Sequence, residues 1–338
     1  MCFSIVIMLI SGASFSQDIH FSQFYASPLT LNPALTGRMN GDYRLAAIYR
    51  SQWKSLTSDP SFVPYATPAA SFDIPFVFGK KKNQAVGAGI LFVNDLTNHK
   101  RLNTLQAQVS VAYIKVLDKN FKHQLSIGLQ GGIRQTSVKA TEFTYANQYV
   151  NGVFDPSIQG EPSIGDSKTI PDINAGLFYS GTLVKKLTVY TGFSLFNIGE
   201  PNQSLYEGRE SKLSMRYVVH GGLDWGITEK LSLLPGVIFM AQAEARQVNF
   251  GTNFGIDISE KPGKEATLYV GAWYRWEDAV SPMVGVELLK RFRLGLSYDV
   301  TTSDLKDATD SRGGFEVSLV YVGKITRLNE ANLFCPRF

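Results

Sequence analysis

Apolar and polar residues alternate along most of this chain with a period of two. In 124–134, Leu125, Ile127, Leu129 and Ile133 share one face, while Gln124, Ser126, Gln130 and Arg134 share the other. In 292–300, Phe292, Leu294, Leu296, Tyr298 and Val300 oppose Arg293, Gly295, Ser297 and Asp299. Such alternation marks a strand with one apolar face and one wet face. Fourteen segments of this kind follow one another: 42–53, 65–78, 85–95, 104–117, 123–138, 172–181, 187–198, 215–228, 231–244, 246–258, 266–278, 280–290, 292–302 and 313–324. Most exceed the mean soluble strand of about five to six residues. A tilted strand of about nine to eleven residues crosses a bilayer. No segment of helical period interrupts the series, and closing one antiparallel sheet on itself leaves no exposed edge.

The connections alternate as well. Those at 79–84, 118–122, 183–186, 228–230 and 290–291 are short, whereas those at 54–64, 139–171, 199–214 and 303–312 are long. The links at 245 and 279 break the rule. Outer-membrane barrels have short periplasmic turns and longer extracellular loops. The expected fold is therefore all-β: a single transmembrane antiparallel β-barrel of about 14 strands, in the outer membrane, with both termini periplasmic. Trp53, Trp225, Trp273 and Trp276 near strand ends fit interfacial girdles. A propeller would show a blade-length repeat of about forty to fifty residues, and a sandwich would show shorter strands in Greek-key order.

Four segments are expected: a signal peptide at 1–16, an N-terminal arm at 17–41, the barrel at 42–324 and a periplasmic tail at 325–338. The leader has an apolar core at 3–10, followed by Ser14-Phe15-Ser16 as a small-residue cleavage site. The arm, DIHFSQFYASPLTLNPALTG at 18–37, has neither helical period nor strand alternation. Pro28 and Pro33 hold Ser27 and Asn32 in extended or turn geometry. Phe21, Phe24 and Tyr25 are costly to leave in water, so the arm is expected to dock at one barrel mouth or inside the lumen, as a periplasmic or lumenal arm.

Composition removes several classes. No run of eighteen apolar residues follows the leader, which excludes a helical membrane protein. A net charge of +4 over 338 residues, with no basic stripe, argues against nucleic acid. Cys2 and Cys335 are the only cysteines, so no disulfide framework or CxxC metal site exists. The inward parity collects Arg44, Arg50, Gln106, Gln108, Gln130, Arg134, Arg216, Asn253, Asp257, Arg275, Glu287, Arg293, Asp299 and Glu316. Mixed signs point to internal ion pairs and a plugged or narrow interior. The pairs Gly87/Gly89, Gly131/Gly132 and Gly221/Gly222 offer curvature or close approach of a plug.

Catalytic chemistry is scarce. His220 shares the polar parity with Asp224, and Ser214 or Ser232 would complete a hydrolase trio; lumen lining is the simpler reading. His99 and His123 fall in connections and read as solvated. Asp304, Asp307 and Asp310 lack the glycine and terminal glutamate of a calcium loop. Neither a phosphate-binding loop, nor a GxSxG elbow, nor a dinucleotide fingerprint occurs. No enzyme activity and no cofactor are expected.

The arm together with YRLAAIYRSQW at 43–53 resembles the N-terminal signature of the PorP/SprF family of type IX secretion outer-membrane proteins. The matching positions are Phe21, Ser22, Gln23, Phe24, Tyr25, Pro28, Leu31, Asn32, Pro33, Ala34 and Gly37, then Tyr49, Arg50, Gln52 and Trp53. SFDIP at 71–75, RLGLSYDV at 293–300, GGFEVSLVY at 313–321 and the terminal Cys335, Pro336, Arg337 and Phe338 extend the likeness. The resemblance implies a non-enzymatic barrel serving secretion and gliding. Its partners would be a large secreted adhesin or other secretion components, including a periplasmic ring or a peptidoglycan-binding protein. It also implies that the arm and the C-terminal motif carry the partner or lumenal contacts. The alternative from another class is a passive transporter of small hydrophobic or polar solutes with an N-terminal hatch.

Overall fold

A computed structural model describes residues 18–54, 65–79, 83–97, 102–139, 146–158, 165–206 and 208–325. The expected leader and the motif Cys335 to Phe338 lie outside the described residues. Fourteen strands form the barrel: β1 (Tyr43–Gln52), β2 (Tyr65–Phe78), β3 (Gln84–Thr97), β4 (Leu102–Val116), β5 (His123–Val138), β8 (Ser167–Val184), β9 (Leu187–Phe196), β10 (Arg216–Gly226), β11 (Leu231–Gln242), β12 (Ala245–Ser259), β13 (Ala266–Arg275), β14 (Ala279–Leu288), β15 (Phe292–Thr301) and β16 (Arg312–Gly323). Two further short strands, β6 (Tyr149–Val150) and β7 (Val153–Phe154), make a separate hairpin in the long link between β5 and β8. Its turn is Asn151-Gly152, both with positive φ, the preferred chemistry of a two-residue hairpin.

Each barrel strand pairs antiparallel with its neighbour in sequence, and β1 closes on β16 over an unbroken register from Tyr43↔Gly323 to Gln52↔Gly314. The expected strands recur, with β8 starting earlier than the sequence segment because Ser167 to Pro171 continue the pairing with β5. The turns 243–244 and 276–278 are short on the long-loop side, as the sequence indicated.

Alternation sets the two faces. Ile127 and Leu129 are 54% and 64% exposed on the outer wall, while Ser126 and Gln130 beside them are buried. The outer wall is an apolar belt that a bilayer would cover, and the polar set looks inward. Irregular register occurs at Thr182/Val184, Asp257/Ser259 and Asp299/Val300, all near strand ends, so the inward parity survives through the barrel's middle. At the turn between β4 and β5, the exposed Asp118 carboxylate accepts the His123 and Asn120 backbone N–H groups, which hold its pKa below the usual carboxylate value.

Candidate functional site in the barrel lumen

The arm fills the lumen and runs its whole length. Asp18 sits at the long-loop end, where its Oδ1 accepts from Arg134 at 2.6 Å and its backbone N–H donates to Gln242 at 2.8 Å. Asp42 sits at the short-turn end, where its N–H donates to the Gly323 carbonyl at 2.8 Å and leads into β1. The first described residue and the end of β16 therefore lie at opposite ends of the barrel. Between them the arm turns rather than extends: a 3₁₀ turn at Phe24–Ala26, an α turn at Pro28–Leu31 and a 3₁₀ turn at Pro33–Leu35. Each is too short for a period to register in sequence. The two prolines occupy first-turn positions, where the missing N–H costs nothing. Asn32 before Pro33 is extended, as expected.

At the long-loop end the arm's backbone meets buried charge. The Ser22 and Gln23 N–H groups donate to the two carboxylate oxygens of Glu316 at 2.7 and 2.9 Å. Ser22 Oγ donates to Asp299 at 2.9 Å and accepts from Arg275 at 3.0 Å. Gln23 donates to Ser297 and accepts from Ser318. Arg50 joins the group through Asp299 at 3.1 Å, Glu316 at 3.2 Å and the His20 carbonyl at 2.8 Å. Arg275 also reaches Asp299 at 2.8 Å. Charges removed from water persist only when paired and hydrogen-bonded, and here each pair also grips the arm.

Midway, the aromatics separate. Phe21 and Leu29 pack with Ala46, Ile48, Leu91 and Val93 on the β1–β3 wall. Phe24 meets Trp273 edge-on at 5.1 Å on the opposite wall, with Tyr25 beside both. Trp273 was expected in an interfacial girdle; it is instead 3% exposed and faces the lumen. It shares a face with Arg275, which also points inward, whereas Trp276 beyond the strand end is 56% exposed.

Asn32 uses both ends of its side-chain amide to anchor the middle of the arm. Its Oδ1 accepts from the Ala34 N–H at 2.9 Å, and its Nδ2 reaches the carbonyls of Leu177 at 2.9 Å and Phe193 at 3.3 Å and the Nε2 of His220 at 3.2 Å. His220 stacks on Phe178. Lumen lining, the simpler reading of His220, fits these contacts, and geometry disfavours a trio through Asp224, since four residues along a strand span about 13 Å. His123 differs from expectation, since it starts β5 half-buried with Nδ1 2.8 Å from the Tyr179 hydroxyl.

Toward the short-turn end, the Gly37 N–H donates to Asp73 at 2.7 Å, and Arg44 clamps the same carboxylate through two nitrogens at 2.9 and 2.7 Å while donating to the Leu35 and Arg38 carbonyls. Arg38, fully buried, donates to Gln124 and Ser180 and lies 4.7 Å over Phe178. Sequence reasoning missed Arg38, Asp73 as its neighbour's anchor, and Asp18. The inward parity of Asp73 opposite Arg44 in the β1–β2 register was the available signal for one of them.

The wall is shaped to the arm at particular glycines. A Cβ on Gly87 would lie 2.1 Å from the Thr36 carbonyl oxygen, and one on Gly128 2.4 Å from Pro33 and Ala34 backbone. One on Gly176 would lie 2.0 Å from Asn32 Oδ1. Gly87 does serve the plug, as anticipated; a Cβ on Gly89 would first meet Asp73 and Phe72 of β2, at 2.8 and 3.0 Å, with Leu29 of the arm at 3.2 Å. Gly132 and Gly222 crowd neighbouring strands, and nothing lies within 4 Å of a Cβ on Gly131 except the Asp172 carbonyl oxygen at that limit. Three cavities beside the arm are small, about 50 Å³ at the short-turn mouth and about 20 Å³ each in two chambers near Asp18. Among the described residues no cluster of three metal-ligating side chains occurs.

Solved structures share the architecture. The Ralstonia pickettii toluene transporter TbuX matches with a TM-score of 0.50 at 12% identity, over 87% of this chain and 92% of its own. The CymD monoaromatic hydrocarbon channel gives 0.51 at 9%, over 90% and 94%. The Pseudomonas putida toluene transporter TodX gives 0.50 at 9%, over 86% and 91%. At such identities the likeness concerns the fold alone. The search of curated proteins finds no match. An apolar outer belt, a closed fourteen-stranded sheet and a polar lumen define an outer-membrane β-barrel protein. Residues 13–321 match the family described as type IX secretion system membrane protein PorP/SprF, and the chain belongs to that family.

Proposed function

We propose that this barrel is a non-enzymatic partner in type IX secretion, serving the export or surface attachment of a large adhesin or anchoring the periplasmic machinery to the outer membrane. The observation that carries the reading is the lumen, filled from mouth to mouth by an arm bound through buried ion pairs. A passive transporter needs a path past its hatch, and the arm here shares charge clusters and backbone contacts with nearly the whole wall. Under this reading Phe21, Ser22, Gln23, Phe24, Tyr25, Pro28, Asn32, Pro33 and Gly37 keep the barrel shut and hold its mouths in shape for partners. Cys335, Pro336, Arg337 and Phe338 contribute to contacts at the periplasmic face. The short turns face the periplasm, as in other outer-membrane barrels.

The test is mild-detergent purification of the tagged protein from its native membrane, followed by mass spectrometry of the co-purifying chains. Recovery of a very large surface protein supports the adhesin branch; recovery of periplasmic ring or peptidoglycan-binding components supports the anchor branch. A barrel that emerges alone and conducts solute in a planar bilayer defeats both.

A further inference from the structure

The charges outside the strands are divided between the two ends of the barrel. Among the described residues, the short-turn connections, with Lys324 just after β16, carry ten Lys or Arg and four Asp or Glu. All ten cations are exposed. The described residues of the long-loop connections carry five Lys or Arg and ten Asp or Glu. The short-turn end is thus a cationic face, with Lys119, Lys122, Lys185, Lys261, Lys290 and Arg291 spread around it.

A cavity of about 50 Å³ opens on that face, between the arm and the wall formed by β1, β16 and β15. Tyr25, Met39, Val320 and Val322 form its apolar wall, and Asn40 and Lys290 stand at its opening. Its volume equals about four water molecules, the bulk of a small aliphatic side chain. Arm residues supply part of the wall, so the cavity lies inside the strand ring, out of reach of headgroups packed around the barrel's perimeter.

We propose that the short-turn face is a docking surface for an acidic polypeptide segment of a partner on that side, one that seats an apolar side chain in the mouth cavity. Two separate observations support it: the sign of the face and the amphiphilic opening within it. A ring of like charge focuses field toward an opposite partner and raises its encounter rate. Anionic lipid would satisfy the rim cations but not the enclosed cavity. The inference concerns the face alone and holds for either branch of the secretion reading.

The experiment places the full barrel in nanodiscs of zwitterionic phosphatidylcholine and measures fluorescence anisotropy of two labelled peptides. One is rich in Asp and Glu with a central leucine; the other carries Asn and Gln at the same positions. The acidic peptide is expected to bind, and to weaken at least tenfold as salt rises from about 0.01 to about 1 M, which shortens the screening length from about 30 to about 3 Å. The double variant Lys290→Glu/Arg291→Glu weakens it at least tenfold, and Lys119→Glu/Lys122→Glu weakens it independently should the first fail to fold. Lys306→Glu, at the opposite end, leaves it unchanged. Equal binding of the two peptides overturns the proposal, as does indifference to charge reversal. Charge-dependent binding seen only with phosphatidylglycerol vesicles also overturns it, making the face a lipid anchor.

Discussion

The side-chain nitrogen of Asn32 lies 3.2 Å from Nε2 of His220, within the lumen. Because Asn32 Oδ1 is occupied by the Ala34 N–H, Nδ2 is the atom turned toward the ring, and His220 Nε2 must accept. The arm thus uses a donor against three wall acceptors, two of them main-chain carbonyls on adjacent strands. This cross-connection predicts a ranking. Asn32→Ala strands these acceptors and the Ala34 N–H, at about 1–3 kcal/mol per buried group left unpaired. Asn32→Asp is expected to be worse, since it turns an acceptor toward carbonyls. The temperature at which the barrel loses its heat-modifiable gel mobility should fall in that order; an Asp variant as stable as wild type contradicts the assignment.

Gly87→Ala and Gly128→Ala push a Cβ into arm backbone at 2.1 and 2.4 Å. Overpacking of this kind costs about 1–3 kcal/mol. Gly131→Ala meets only one carbonyl oxygen, at 4.0 Å, and should leave the unfolding midpoint unchanged or raise it. Equal effects at the three positions would mean that the arm does not press on the wall.

The four tryptophans offer a spectroscopic check. In single-tryptophan variants, brominated acyl chains should quench Trp225 and Trp276, which are exposed on the outside, and spare Trp273. Trp273→Ala should also lower stability by about 3–5 kcal/mol, as expected for a buried large aromatic.

Arg50 links Asp299, Glu316 and the His20 carbonyl, so Arg50→Met leaves two buried carboxylates with fewer counter-charges. Breaking a buried pair from one side costs about 3–5 kcal/mol. Arg50→Met/Glu316→Gln should recover part of that loss in urea unfolding, and additive losses would show that the pair is not coupled.

The intact protein should give no ohmic current in a planar bilayer, and a variant lacking 18–37 should insert and conduct. Failure of the shortened chain to insert would show instead that the barrel cannot close without its arm.

The barrel was legible from local pattern because a strand exposes its two faces at every second residue, whatever it pairs with. The lipid-facing set of β5 and β15 could be read directly in this way, as could the inward set that includes Arg44, Arg50, Asp299 and Glu316. The aromatic arm also announced itself, since Phe21, Phe24 and Tyr25 in an aperiodic stretch require a docking surface.

The limits have physical causes. Trp273 and Trp276 are three residues apart near the same strand end, and only the side facing the arm separates a lumen aromatic from a belt aromatic. Gly128 and Gly176 look like any strand glycine until Pro33 and Asn32 lie against them. His220 and Asp224 share a parity without sharing a neighbourhood, because parity says nothing of distance along the strand.

By itself, then, the sequence determined which strand face is apolar, how many strands close the barrel and that neighbouring barrel strands in sequence are neighbours in the sheet, since these follow from short-range periodicity and connection length. Only the tertiary structure decided that the arm descends from the long-loop end to the short-turn end, that Asn32 rests on His220 and that Arg38 and Asp73 are arm contacts. Those contacts join residues tens to hundreds of positions apart, and they exist only once the closed sheet has brought opposite walls within a side chain's reach of one threaded segment.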